Sequence, residues 1–281
     1  MTLLSPSDQF DLGRLPRIDV RLLGRRITCM TIPDVVGAIS EACRLRRPVL
    51  VSSYNIHSFN LSMQLPWLYE FQQSADITIN DSMGLLQAIR LLGLPLSREY
   101  RVSYTLLMPL LLETCERHGL SLFLLGGKPA VLEAALRRVH STYPNLSLQG
   151  HHGYFSLDDV RDNARIVEQI HNNRTHVLMV SMGVPRQEQW VRAQRDNLAV
   201  SAILSSGGAA IDRLAGLVPD CPPWLSNLGL EWFYRMCREP SRLSMRYLLG
   251  NPAFLLHIAL ARSLNLGGEL LKVESVGLPT L

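Results

Sequence analysis

The chain has 281 residues, 47% of them apolar and 19% charged, with 28 basic residues against 24 acidic ones. That composition is ordinary for a globular protein and excludes collagen-like repeats, coiled-coil rods and extended disorder; the length suits one large α/β domain or a domain with an appendage. A formal charge of +4 is too small for a protein that coats nucleic acid, so no nucleic-acid partner is expected.

Cys29, Cys43, Cys115, Cys221 and Cys237 are odd in number and form no CxxC pair. They read as reduced thiols of a cytoplasmic protein. Residues 1–16 are a polar leader whose aspartates, Asp8 and Asp11, and lack of an apolar core set it apart from a signal peptide. The longest apolar runs, 106–112 and 253–261, contain Pro109 and His257 and fall short of the roughly 18 residues of a membrane span. Attachment to a membrane surface stays open.

In chain order, RIDVRLLGRRITCMTI predicts a hairpin turning near Gly24. Six short runs rich in Val, Ile and Leu follow: 48–53, 75–80, 120–126, 146–152, 176–183 and 200–208. Amphipathic stretches such as AVLEAALRRVHSTY and DDVRDNARIVEQIHNN separate them. Strands alternating with helices predict an α/β fold, a Rossmann-like, mostly parallel sheet covered on both faces. From about Pro222 the texture turns entirely helical, with breaks at Pro240 and Pro252 and no strand signal. This gives a 17–220 α/β domain and a 221–281 helical appendage, divided near Asp220.

In such a sheet, ligands bind beyond the carboxyl ends of the strands, and the residues there are polar. Gly126-Gly127-Lys128 suggests a phosphate loop, but a Walker loop needs glycine where Leu122 stands and Ser/Thr where Pro129 stands. Two readings stay open: an anion site at a helix start, or a tight strand–helix turn. In Gly183–Glu188, Pro185 and Glu188 suit a helix start, while Gln187 would point into the crevice to hydrogen-bond a sugar or phosphate. Asp81 directly follows an apolar strand. It is either a general base with a raised pKa or the N-cap of the next helix. His151 and His152 would point to opposite faces of a strand, and neither HExxH nor DxD occurs, so no metal and no cofactor is expected. Arg235, Arg238, Arg242 and Arg246 follow at helical spacings near Trp232, Phe233 and Tyr234. They are a solvated face, a patch for an anionic membrane, or neutralisers of a diphosphate.

Taken in order, LFLLGGKPAVLEAA, GYF, the GxPxQE of Gly183–Glu188 with Trp190, GGAAIDRLAG and GLEWFYRMCREPSRLSMRY resemble the WecG/TagA/CpsF glycosyltransferase family from about Ile18 to Tyr247. The resemblance implies inverting, metal-independent transfer of a hexose from a nucleotide-diphosphate sugar to a polyprenyl-diphosphate-linked sugar at the cytoplasmic membrane. It implies Asp81 as base, Arg101 at the diphosphate, Ser53 and Asn55 in the pocket with Gln187, and the arginine-rich tail at the membrane and lipid diphosphate. Gly126, Gly127, Lys128, Gly207 and Gly208 would supply loop contacts to the donor. Ser82, Tyr104, Leu106 and Asp220 depart from the family pattern and point to a sugar specificity shifted away from N-acetylmannosamine.

The expected function is a UDP-hexose transferase for exopolysaccharide or another surface polymer, peripheral on the inner face of the membrane, with homo-oligomerisation open. The alternative is a catalytically weak nucleotide-sugar-binding or scaffold protein of a polysaccharide assembly complex.

Overall fold

The computed structural model describes residues 16–219, 221, 222, 224, 225, 229–263 and 271–275. The polar leader, apart from Pro16, and the division at Asp220 therefore lie outside the described residues. β1 (Ile18–Leu22) and β2 (Arg25–Cys29) form the expected antiparallel hairpin. Leu23 and Gly24 make its turn at φ 48° and 76°, the left-handed pair that a two-residue hairpin connection requires.

After α1 (Ile32–Leu45) the six runs become β3 (Val49–Tyr54), β4 (Ile77–Asn80), β5 (Leu122–Gly126), β6 (Leu148–His151), β7 (Val177–Ser181) and β8 (Ala202–Ser205). They form one parallel sheet in the order β4-β3-β8-β7-β5-β6. Between them run α2 (Ile56–Gln64), α3 (Pro66–Ser74), α4 (Met83–Leu91), α5 (Tyr104–Arg117), α6 (Pro129–Thr142), α7 (Val160–Asn172) and α8 (Arg186–Gln194). α9 (Ala210–Leu214) follows β8.

Strand side chains alternate between two apolar layers, as the two-residue period demands. Val49, Val51, Leu122, Leu124, Val177 and Met179 pack with α1, α5, α6 and α9. Leu50, Phe123, Leu125, Leu178 and Val180 face α3, α7 and α8 instead. Thus the helix after β7 covers one face and the helix after β8 the other. A ligand crevice is expected at the carboxyl edge of the sheet, where the connections change face.

The C-terminal part is α10 (Glu231–Arg238), α11 (Pro240–Ser263) and β9 (Leu271–Ser275). Pro240 separates the two helices, as expected. Pro252 does not break α11: Leu243 and Tyr247 before it and Phe254 and Ile258 after it are all buried, and that packing offsets the lost backbone hydrogen bond. The purely helical expectation for 221–281 needs a second correction. β9 pairs antiparallel with β1, Val273 opposite Val20, in a three-stranded sheet β2-β1-β9. Its five residues, LKVES, carry too short an alternation to be read as a strand unless the partner edge is known. A third apolar cluster joins this small sheet to α2, α4 and α11 through Val20, Phe59, Leu85, Phe254 and Ile258.

Candidate active site

A cavity of about 1450 Å³ lies at the carboxyl edge of the parallel sheet, with α10 and α11 forming its far wall. Asp81 lines it, one residue beyond β4. The Asp81 N–H donates to the Tyr54 carbonyl at 2.8 Å, and the Val102 N–H donates to the Asn80 carbonyl at 2.8 Å. These two bonds fix Arg101 beside the strand end that carries Asp81. Asp81 is not the helix cap. Ser82 holds the N-cap position of α4, with no side-chain capping bond, and its N–H is taken by the Asn80 side chain at 3.0 Å.

Glu231, at the start of α10, reaches across the cavity to two arginines. Arg101 donates to one carboxylate oxygen and Arg213 of α9 donates to the other at 3.0 Å. Arg213 also reaches the Thr105 hydroxyl. Burial pushes the Asp81 carboxyl up to about 7, and the like charge of Glu231 adds to that rise, against the pull of Arg101, Arg235 and Arg213. For Glu231, burial is the largest influence and raises the pKa; Arg101 and Arg213 together outweigh it, and the net value is lowered. Two carboxylates in one cavity are thereby driven apart, one towards a base near neutrality and one towards a permanent anion.

Gln187 does not point into the crevice as expected. It is fully buried: its side-chain oxygen accepts from the Gly183 N–H at 2.9 Å, and its amide donates to Glu188 at 2.8 Å and to the Ser205 hydroxyl at 3.1 Å. The Ser205 hydroxyl in turn donates to Glu188 at 2.8 Å, and the Tyr104 hydroxyl donates to the Ser205 carbonyl at 2.9 Å. Burial raises the pKa of Glu188. The network clamps the loops after β7 and β8 together, so Gln187 shapes the wall rather than presenting a donor group to it. Sequence spacing does not reveal this, because α8 begins at Arg186 and rotates Gln187 under the sheet edge.

The glycine turn is built by close backbone approach. A Cβ on Gly126, at φ 151°, would lie 2.2 Å from the Ser181 carbonyl oxygen, so Gly126 sits below the cavity surface. Gly127 (φ 69°) and Lys128 do line the cavity, at the start of α6. Gly207 and Gly208 line it too, and a Cβ on Gly208 would meet the Gly183 Cα at 3.0 Å. The tight-turn reading accounts for Gly126, while Gly127 and Lys128 lie where an anion site at the start of α6 would need them.

Asn55 lines the cavity while capping α2: its side-chain oxygen accepts from the Ser58 N–H at 3.1 Å and from Arg246 at 3.3 Å. Ser53 does not line it; Ser53 is buried at the end of β3 beside the Tyr104 hydroxyl. The arginine stripe divides across the break at Pro240. Arg235 and Arg246 line the cavity, Arg238 lies outside against Tyr234 with its guanidinium 5.5 Å from the ring centre, and the Arg242 side chain lies outside the described residues. Of the departures from the family pattern, Ser82 and Tyr104 line the cavity, Leu106 is exposed on α5 and does not, and Asp220 lies outside the described residues.

The arrangement also includes residues that sequence reasoning passed over: Glu231, Arg213 and His57, whose imidazole pKa is pushed down to about 4, mainly by burial and then by Arg246. Arg213 and Glu231 lie within motifs quoted for the resemblance, but only the folded chain brings them to one point. His151 and His152 do not diverge: β6 ends at His151 and the two rings sit 4.3 Å apart. Among the described residues no three His, Cys, Asp or Glu side chains are grouped to hold a metal ion.

A doubly covered parallel sheet, with a near-neutral carboxylate and converging arginines at its carboxyl edge, defines a site suited to group transfer from an anionic, phosphate-bearing substrate. The glycosyl transferase WecG/TagA/CpsF family matches residues 20–266, and the chain belongs to that family. It is also similar to the N-acetylglucosaminyldiphosphoundecaprenol N-acetyl-beta-D-mannosaminyltransferases of Staphylococcus aureus strains MW2 and COL. Each is 30% identical over 193 residues, covering 69% of this chain and 72% of the relative. No described helix is long and apolar enough to cross a membrane.

Proposed function

We propose that the protein transfers a hexose from a UDP-sugar to a polyprenyl-diphosphate-linked sugar, inverting the anomeric centre without a metal. The observation that carries this reading is Asp81 at the cavity wall, with its carboxyl pushed up to about 7, mainly by burial, among Arg101, Arg213 and Arg235. Asp81 takes the proton of the acceptor hydroxyl as that oxygen bonds to the anomeric carbon. The bond from that carbon to the β-phosphate oxygen breaks on the opposite side, and its electron pair leaves with UDP. One displacement inverts the centre. Arg101 and Arg213, with loop amides at Gly127 and Gly207-Gly208, stabilise the charge growing on the diphosphate, the work that a divalent ion does in other transferases.

The acceptor class is supported by the names of the relatives, whose acceptor is an undecaprenol-diphosphate sugar. A membrane-bound acceptor also accounts for α11. Met245, Leu248, Leu249, Leu256 and Leu260 are exposed on the face turned away from the cavity, and this second apolar face suits contact with lipid. Arg238 and the exposed Phe233 suit the headgroup layer of the inner membrane face. The product would be a lipid-linked disaccharide for a surface polymer.

The test is incubation with UDP-glucose, UDP-galactose, UDP-N-acetylmannosamine and its uronic acid, each against a synthetic polyprenyl-diphosphate N-acetylglucosamine, with and without EDTA. Transfer of at least one sugar, undiminished by EDTA and giving the inverted anomer by NMR, is expected. UDP binding with no transfer from any donor would favour the scaffold reading.

A further inference from the structure

The cavity does not end at the polar groups. From Asp81 it continues along one side of α4, past Met83 to Leu91, and along the facing side of α11, from Leu243 through Phe254 and Leu255 to Ile258. On each helix these positions recur at three- and four-residue spacings, so each set forms a continuous wall. The stretch of α11 from Leu243 to Ile258 is about 22 Å long, from the helical rise. Phe254 and Ile258 are buried in the floor, whereas Leu91 and Leu255 are 65% and 59% exposed at the rim. The cleft is polar and cationic at one end. Arg235 and Arg246 stand there, and the Arg235 Nε is buried without a hydrogen-bond partner among the described residues. At the other end it is apolar and open, beside the exposed leucines of α11.

A ligand that matches this profile is an amphiphile with an anionic head and a long hydrocarbon chain. The family resemblance already implies the acceptor diphosphate at the arginine-rich tail, here Arg235 and Arg246. We propose that the cleft between α4 and α11 holds the first isoprenoid units of that acceptor, its chain leaving between Leu91 and Leu255. The assignment rests on the lipid-linked acceptor of the proposed function and adds where the lipid lies. The sugar then projects from the diphosphate towards Asp81, and the chain passes directly to the apolar face of α11 without crossing water.

The test is calorimetric binding of isopentenyl, geranyl, farnesyl and geranylgeranyl diphosphate, each kept below its micelle concentration, to the intact protein without membranes. Burial of added hydrocarbon should lower Kd at least about fivefold per isoprene unit until the cleft is full. Leu91→Glu and Leu255→Glu, both at exposed positions, should flatten that dependence by about tenfold or more between geranyl and geranylgeranyl diphosphate. Leu106→Glu, on the exposed surface of α5, should keep it. Equal affinity across the series, or an unchanged slope in both rim variants, would overturn the assignment. Because the measurement needs no turnover, chain-dependent binding without sugar transfer would leave the cleft standing and remove the transferase reading. Transfer to acceptors regardless of chain length would do the reverse.

Discussion

Replacing Asp81 with Asn separates chemistry from stability in a way that few other substitutions at this site would. The carboxyl is displaced from its ordinary 3.8 to about 7, chiefly by burial. If the ionised form is the base, kcat/KM should rise roughly tenfold between pH 6 and pH 8, since about a tenth of the sites are ionised at the lower value and about nine-tenths at the higher. Asp81→Asn should lower kcat by roughly 10²–10⁴ and abolish that dependence. The same displacement has the opposite sign for folding. An acid whose pKa is raised in the folded state stabilises the fold fully below its unfolded value, and that contribution is lost as pH rises towards 7. At pH 8 the cost approaches about 4 kcal/mol, and water in the open cavity screens it to about 1–2 kcal/mol. Asp81→Asn should therefore melt a few degrees above the parent protein at pH 8, at about 2–4 °C per kcal/mol, with a smaller gap at pH 5. The assays are steady-state transfer kinetics across pH and thermal unfolding at both pH values. A flat kcat/KM between pH 6 and 8, or a melting difference equal at pH 5 and pH 8, would refute the assignment of a near-neutral base.

Glu231→Gln removes the like charge that helps to hold the Asp81 carboxyl up, so the acid limb of the pH–rate profile should move to lower pH even as melting temperature falls; an upward move would contradict the electrostatics. Gln187→Leu strips partners from the Gly183 N–H, Glu188 and Ser205, and should cost about 2–3 kcal/mol in urea unfolding. Gly126→Ala puts a Cβ 2.2 Å from the Ser181 carbonyl, a backbone clash expected to cost about 3 kcal/mol or more, read from soluble yield and melting temperature.

The parallel sheet was legible because each strand is a run of Val, Ile and Leu bounded by polar turns, and a sheet covered on both faces demands such runs. β9 was not: LKVES becomes a strand only because the edge of β1 lies waiting for it. At the site, Asp81 and Arg101 could be singled out because each follows a strong local signal or matches a family motif. Glu231 could not, since its role depends on Arg101 and Arg213, 130 and 18 residues away in sequence, meeting at one carboxylate. Gln187 shows the converse. A polar residue after a strand can be buried and fully engaged when the helix that follows turns it inward.

The pairing of β9 with β1 makes the C-terminal region topologically a bridge rather than a tail. The chain leaves the parallel sheet after β8, lines the cavity as α10 and α11, and is fastened again to the N-terminal hairpin by five residue pairs, Ile18↔Ser275 through Leu22↔Leu271. The pairing of β9 and the burial of Phe254 and Ile258 hold this wall at two points, which keeps it beside the cavity at high effective concentration. Removing the last strand would take away one of these two anchors and leave the wall held by the packing of α11 alone.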